Sequence, residues 1–224
     1  MQAKENFDNS ISEVTYLNVK SKTDISHDKV YFKVIILLLC AKLEKYVKDS
    51  TNEYLDALLS KGLSKEQLPE KLVVELIKNE LLKVKDKTVE KYVNDDKCKD
   101  RAKVFSLIWD AKYILKNIYK NELVVSISNN GTTAFEDAYK KVGFPDIIKN
   151  LPDYEQHTTM AGITTSLSFS IYDTINKIIS MRHQIIHDDA TPSVTINDIN
   201  LYAAICKDFV SKMDAKLTEQ LSLL

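Results

Sequence analysis

Eight consecutive apolar residues, Val34-Ile35-Ile36-Leu37-Leu38-Leu39-Cys40-Ala41, lie inside a long helix-forming stretch, and nothing else in the chain restricts its fold as tightly. The run is far shorter than the roughly 20 residues that span a bilayer. Wound as a helix it is apolar on every face, which places it at the centre of a bundle. The spacing predicts a helix that Asp24 or Ser26 can cap, that runs to about Ser60 and that Gly62 ends. With only four glycines and four prolines to interrupt such elements, the chain reads as all-α, an antiparallel helical bundle.

Other segments supply partners for this helix. Phe7, Ile11, Val14, Tyr16 and Leu17 predict one short amphipathic helix at the start. Ser64 and Gln67 form a capping box before a stripe of Leu72, Val73, Leu76, Ile77 and Leu81. Lysines and acids dominate residues 83–101, which read as a solvated helix or connection, or alternatively as a lysine surface for RNA. Val104, Phe105, Ile108, Trp109, Lys112, Ile114, Leu115 and Ile118 predict another helix closing near Lys120. Residues 123–128 alternate β-branched side chains before the turn signal Asn129-Asn130-Gly131, so a small hairpin insert and a loop are both open there.

A short helix from Ala134 should stop at Gly143-Phe144-Pro145, and residues 151–168, rich in Thr and Ser with Pro152 and Gly162, read as a loop. Ser170 with Asp173 caps a helix whose apolar face carries Ile171, Ile175, Ile178, Ile179, Ile185 and Ile186. Thr195 with Asp198 caps the last, whose stripe of Ile199, Tyr202, Ile205, Cys206, Phe209, Val210, Met213 and Leu217 is the cleanest in the chain. With no internal repeat, residues 1–224 read as a single domain.

A formal net charge of −1 creates no global field for nucleic acid, so any phosphate-binding surface must be local. The three cysteines, Cys40, Cys98 and Cys206, are far apart and lack zinc spacing, which argues for a reducing compartment. The first 20 residues are too polar and acidic for a signal peptide, so the expectation is a cytoplasmic protein with no membrane contact.

Against that background one short stretch gathers unusual residues. Met181-Arg182-His183-Gln184-Ile185-Ile186-His187-Asp188-Asp189 holds two of the four histidines and, in a chain whose other positive charge is almost all lysine, one of the two arginines. A guanidinium presents a planar fork of donors suited to carboxylate or phosphate. Arg182 falls four residues after Ile178 and four before Ile186, within the apolar stripe, where a cation needs a partner. His183 and His187 stack four apart on a neighbouring face, and histidine is the side chain that titrates near neutrality.

Spacing alone leaves three readings. Arg182 can ion-pair inside the bundle, with Glu44 as candidate partner, while the histidines form a polar helix end. His183, His187, Asp188 and Asp189 can ligate zinc, although Gln184 replaces the glutamate of the usual zinc-protease motif and the adjacent arginine opposes a dication. Or the three groups can serve catalysis.

The pattern resembles the HEPN family, whose signature is an arginine, a polar residue and, little more than a turn beyond, a histidine: here Arg182, His183 and His187. The Leu37 to Glu44 segment, the Gly143-Phe144-Pro145 break and the Ser193-Val194-Thr195-Ile196 lead into the final helix are similar to stand-alone members of the RiboL-PSP-associated kind. The resemblance implies a bundle that dimerises through its motif helices and acts as a metal-independent, cofactor-free endoribonuclease, often a toxin or anti-phage effector with an antitoxin or regulatory partner. It implies catalytic roles for Arg182 and His187 and support from His183, and Glu44 and Asp188 read as further supporting residues beside them. A non-catalytic module that binds a protein or nucleotide is the alternative. The chain departs from some HEPN toxins at Asp189, where they carry a tyrosine that an antitoxin modifies.

Overall fold

A computed structural model of the chain describes residues 1–84, 89–115, 131–160 and 163–224. Its helices are α1 (Gln2–Ser10), α2 (Ser12–Thr23), α3 (Asp28–Ser60), α4 (Glu70–Val84), α5 (Val89–Asn94), α6 (Asp96–Ala102), α7 (Ser106–Trp109), α8 (Thr132–Lys141), α9 (Ile171–Asp188) and α10 (Ile196–Leu223). One antiparallel hairpin, β1 (Tyr154–Met160) and β2 (Ile163–Phe169), precedes α9. The fold is therefore mostly α with a small two-stranded sheet.

The 33-residue α3 is the spine, packing against α1, α2, α8, α9 and α10. Ile35, Ile36, Leu39 and Cys40 are fully buried, but Leu37 and Leu38 are only partly buried, and Val34 and Ala41 are exposed. The expectation of a helix buried all round is thus corrected: neighbours close most of its circumference and leave one strip open.

Opposite it, α10 buries all eight residues of its stripe from Ile199 to Leu217. Each such side chain contributes roughly 1.5–3 kcal/mol of transfer free energy. Tyr46 of α3 donates its hydroxyl to the Val210 carbonyl at 3.1 Å, giving a buried phenol its acceptor. Thr195 and Asp198 form the capping box at the start of α10.

Gly143 follows α8 at φ +103, a left-handed conformation that favours glycine, and an added Cβ would lie 3.4 Å from Pro69 Cβ. The break after α8 therefore both turns the chain and lets it approach the start of α4.

Three segments depart from the sequence reading. The opening helix is two, α1 and α2, joined at Ile11. The loop expected over residues 151–168 is the hairpin, in register from Tyr154↔Phe169 to Met160↔Ile163. Its apolar base residues pack on the core, while Glu155, Gln156, His157 and Thr158 face solvent. The long helix expected from Val104 breaks at Asp110, whose carboxylate accepts from the Lys112 N–H at 3.0 Å and leaves Trp109 71% exposed. The expectations for Ile118, Lys120 and the hairpin candidate at residues 123–128 lie outside the described residues.

The described residues of α5 and α6 are mostly solvated on their outer side but hide an ion pair. Glu80 is buried, with Arg101 Nη2 at 3.1 Å and the Tyr92 hydroxyl donating at 3.0 Å. This cluster ties α5 and α6 back onto α4.

Candidate active site

The local sequence makes α9 a helix with a defined start and stop. Ser170 accepts from the Asp173 N–H at 3.1 Å, satisfying one of the free donors of the first turn. Ile171, Ile175, Ile178, Met181 and Ile185 are buried, so one face is fixed against the core. Asp189 then adopts the left-handed conformation, φ 48 and ψ 28, and ends the helix.

Helix α9 runs antiparallel to α3. Lys33 meets Asp189 at one end of the contact, and the Cys40 thiol lies 3.7 Å from the Ile178 carbonyl further along. Arg182 reaches back toward the start of its own helix, as long helical side chains do, and its Nη2 lies 3.9 Å from Glu44 Oε1. That is the outer limit of an ion pair, between side chains 23% and 29% exposed.

The electrostatics of this contact are mixed. Burial pushes the Glu44 carboxyl above the usual range, and Arg182 pulls it partly back. Beneath them, burial raises the Cys40 thiol to about 12 despite the guanidinium, so this cysteine is neutral and serves as packing.

His183 and His187 project into solvent with ring centroids 4.3 Å apart and planes tilted by 42°. Asp188 and Gln184 are also exposed. The structure therefore brings Arg182 to Glu44, and His183 to His187, at the same end of one helix. Asp189 turns to Lys33, and among the described residues no three His, Cys, Asp or Glu side chains converge to hold a metal ion.

Around this end the α3–α9 pair presents an uncovered apolar face. The residues one position past the contact line fall on the same side of two antiparallel helices. They are Val30, Val34, Leu37 and Ala41 on α3 and Ile179, His183 and Ile186 on α9, of which Val30 and Ile186 are more than half or half exposed at 58% and 50%. Exposed valine and isoleucine gathered beside Arg182 are unusual for a surface that stays in water. A cavity of about 240 Å³ between α1 and α3, bordered by Phe7, Leu38 and Tyr46, includes none of the motif residues.

Sequence reasoning did not single out Lys33, which reaches the end of α9 from the N-terminal half of α3. In so lysine-rich a chain nothing in the local sequence distinguishes it.

A family model described as RiboL-PSP-HEPN matches residues 5–219. Neither a curated protein nor a solved structure matches the chain.

Proposed function

The chain belongs to the RiboL-PSP-HEPN family, and on that basis we propose that it is a metal-independent endoribonuclease whose site is composed of Arg182 and His187 from two copies. The observation that carries this reading is the pairing of an exposed His183–His187 stack with a partly exposed Arg182 at the end of one helix, beside an apolar face that no described residue covers. Two such faces brought together around a two-fold axis cover Val34 and Ile186 and set two sites of the same kind opposite each other.

The chemistry follows from the groups. His187 of one copy takes the proton of an RNA 2′-hydroxyl as that oxygen attacks the adjacent phosphorus. The His187 of the other copy protonates the departing 5′-oxygen, leaving a 2′,3′-cyclic phosphate and a 5′-hydroxyl. Arg182 donates to the non-bridging oxygens, where negative charge grows in the transition state. His183, stacked on His187, restricts the orientation of its ring. Such an activity endangers the cell that makes it, which suits a toxin or anti-phage effector held in check by a partner protein.

Incubation with total RNA in EDTA tests this. Cleavage by the wild type should fall at least about a hundredfold in Arg182→Ala and in His187→Ala, the range for loss of one acid–base or charge-stabilising group. Cleavage that survives either change, or that requires a divalent ion, refutes the mechanism. A species that stays monomeric at micromolar concentration refutes the composite site.

One observation favours a second reading, a non-catalytic module that binds a protein or nucleotide. Glu44 lies within 3.9 Å of Arg182, so part of the guanidinium's charge is already offset inside the bundle. A stable complex without RNA turnover or toxicity on expression would identify it.

A further inference from the structure

The last turn of α9 is held by a residue from another helix. Lys33 sends its ammonium to two atoms of Asp189, the carboxylate Oδ1 at 2.7 Å and the main-chain carbonyl at 2.9 Å. Its side chain is 21% exposed whereas that of Asp189 is 96% exposed, so the lysine emerges from the packed helix pair to grip a residue that otherwise stands in water.

Asp189 needs such a grip. It holds a left-handed conformation without being glycine, and its N–H and that of Ala190 both turn back to the Gln184 carbonyl. A cation on the exposed carbonyl at a helix C-terminus also favours the helical state of the preceding turn. His187 lies two residues before this cap and is exposed, so no packing of its own ring against the core fixes it.

We propose that Lys33 is a positioning residue for His187: by clamping the left-handed Asp189 cap to α3, it fixes where the last turn of α9 presents the imidazole. Its role in catalysis rests on the ribonuclease reading above, but the clamp itself does not. Lys33 thereby links the α3 side of the exposed apolar face to the motif end of α9. The contact also offsets the Asp189 carboxylate, which would otherwise stand unneutralised next to an anionic substrate.

The test uses the full chain with Lys33→Met, which keeps the aliphatic stem and removes the ammonium, and Lys33→Arg, which restores a donor. Amide hydrogen exchange over residues 186–190 should accelerate about tenfold in Lys33→Met, the scale of one lost charge-assisted hydrogen bond, and stay near wild type in Lys33→Arg. Exchange in the middle of α10 should not change in either. On RNA, Lys33→Met should lower kcat about tenfold with KM within about twofold, and Lys33→Arg should recover most of that loss.

Unchanged exchange in Lys33→Met overturns the clamp. A loss confined to KM with unchanged exchange makes Lys33 a phosphate contact and also overturns it. If the wild type cuts no RNA, the ribonuclease reading fails, while the exchange contrast still decides whether Lys33 holds the helix end.

Discussion

Replacing Glu44 by glutamine removes the negative charge beside Arg182 and keeps the shape. At 3.9 Å two opposite unit charges attract by about 4 kcal/mol at an effective dielectric of about 20. With roughly a quarter of each side chain in contact with water, screening reduces that toward ~1 kcal/mol. For folding, burial is the larger influence on Glu44 and raises its pKa, so the folded protein binds this proton more tightly than the unfolded chain does. The resulting stabilisation is full below the ordinary carboxylate range and is lost as pH rises through the raised pKa.

Glu44→Gln should therefore be at least as stable as wild type near neutral pH, and the two should converge in mild acid. Urea unfolding at the two pH values measures this. For binding, the Arg182 guanidinium loses the Glu44 carboxylate that offsets part of its charge, so affinity for an RNA made uncleavable by a 2′-deoxy substitution should tighten about fivefold, the equivalent of ~1 kcal/mol. Fluorescence anisotropy at fixed salt reads that change. A variant less stable by more than ~1 kcal/mol at neutral pH would refute the balance drawn between burial and attraction. Unaltered RNA affinity would refute the placement of a phosphate on Arg182.

Two further outcomes concern the scaffold. Glu80→Ala takes from Arg101 a partner at 3.1 Å in a site where both side chains are nearly covered, so urea unfolding should show a loss of about 3 kcal/mol or more. All three thiols are buried, and that of Cys40 is pushed up to about 12, so a disulfide reagent should modify native protein only as fast as it opens, and much faster in denaturing urea.

The segments legible in the sequence are those where one physical cause dominates. In α10, burial of a single face writes itself as a period, and every residue of the stripe is covered. The starts of α9 and α10 are legible because a hydroxyl meeting a free N–H needs only local spacing. The hairpin before α9 is illegible because most of its described side chains face solvent, which leaves no alternation of apolar and polar residues to detect. In the segment from Val104, the apolar spacing is present but the chain turns at Asp110, and a carboxylate capping its own turn overrides the period. Arg101 fell in a stretch read as solvated, and the structure instead pairs it with the buried Glu80, a contact made by packing that the local charge pattern hides.

At the site, the residue types, their shared helix end and Glu44 as a candidate partner for Arg182 were legible, but the contact from Lys33 was not. Lys33 reaches Asp189 from 156 positions away in the sequence. Such pairs are fixed by packing angle and depth, which a single sequence does not encode in any local pattern.

The bond from Tyr46 to the Val210 carbonyl spans 164 positions, and the core it belongs to joins α3, made early, to α10, made near the end of the described chain. During synthesis α3 must wait for that partner, with its apolar surface exposed or held by a chaperone. The helix that presents Arg182 and His187 rests on this same spine. A growing polypeptide therefore cannot assemble the motif's surroundings while residues 196–217 are still to be added.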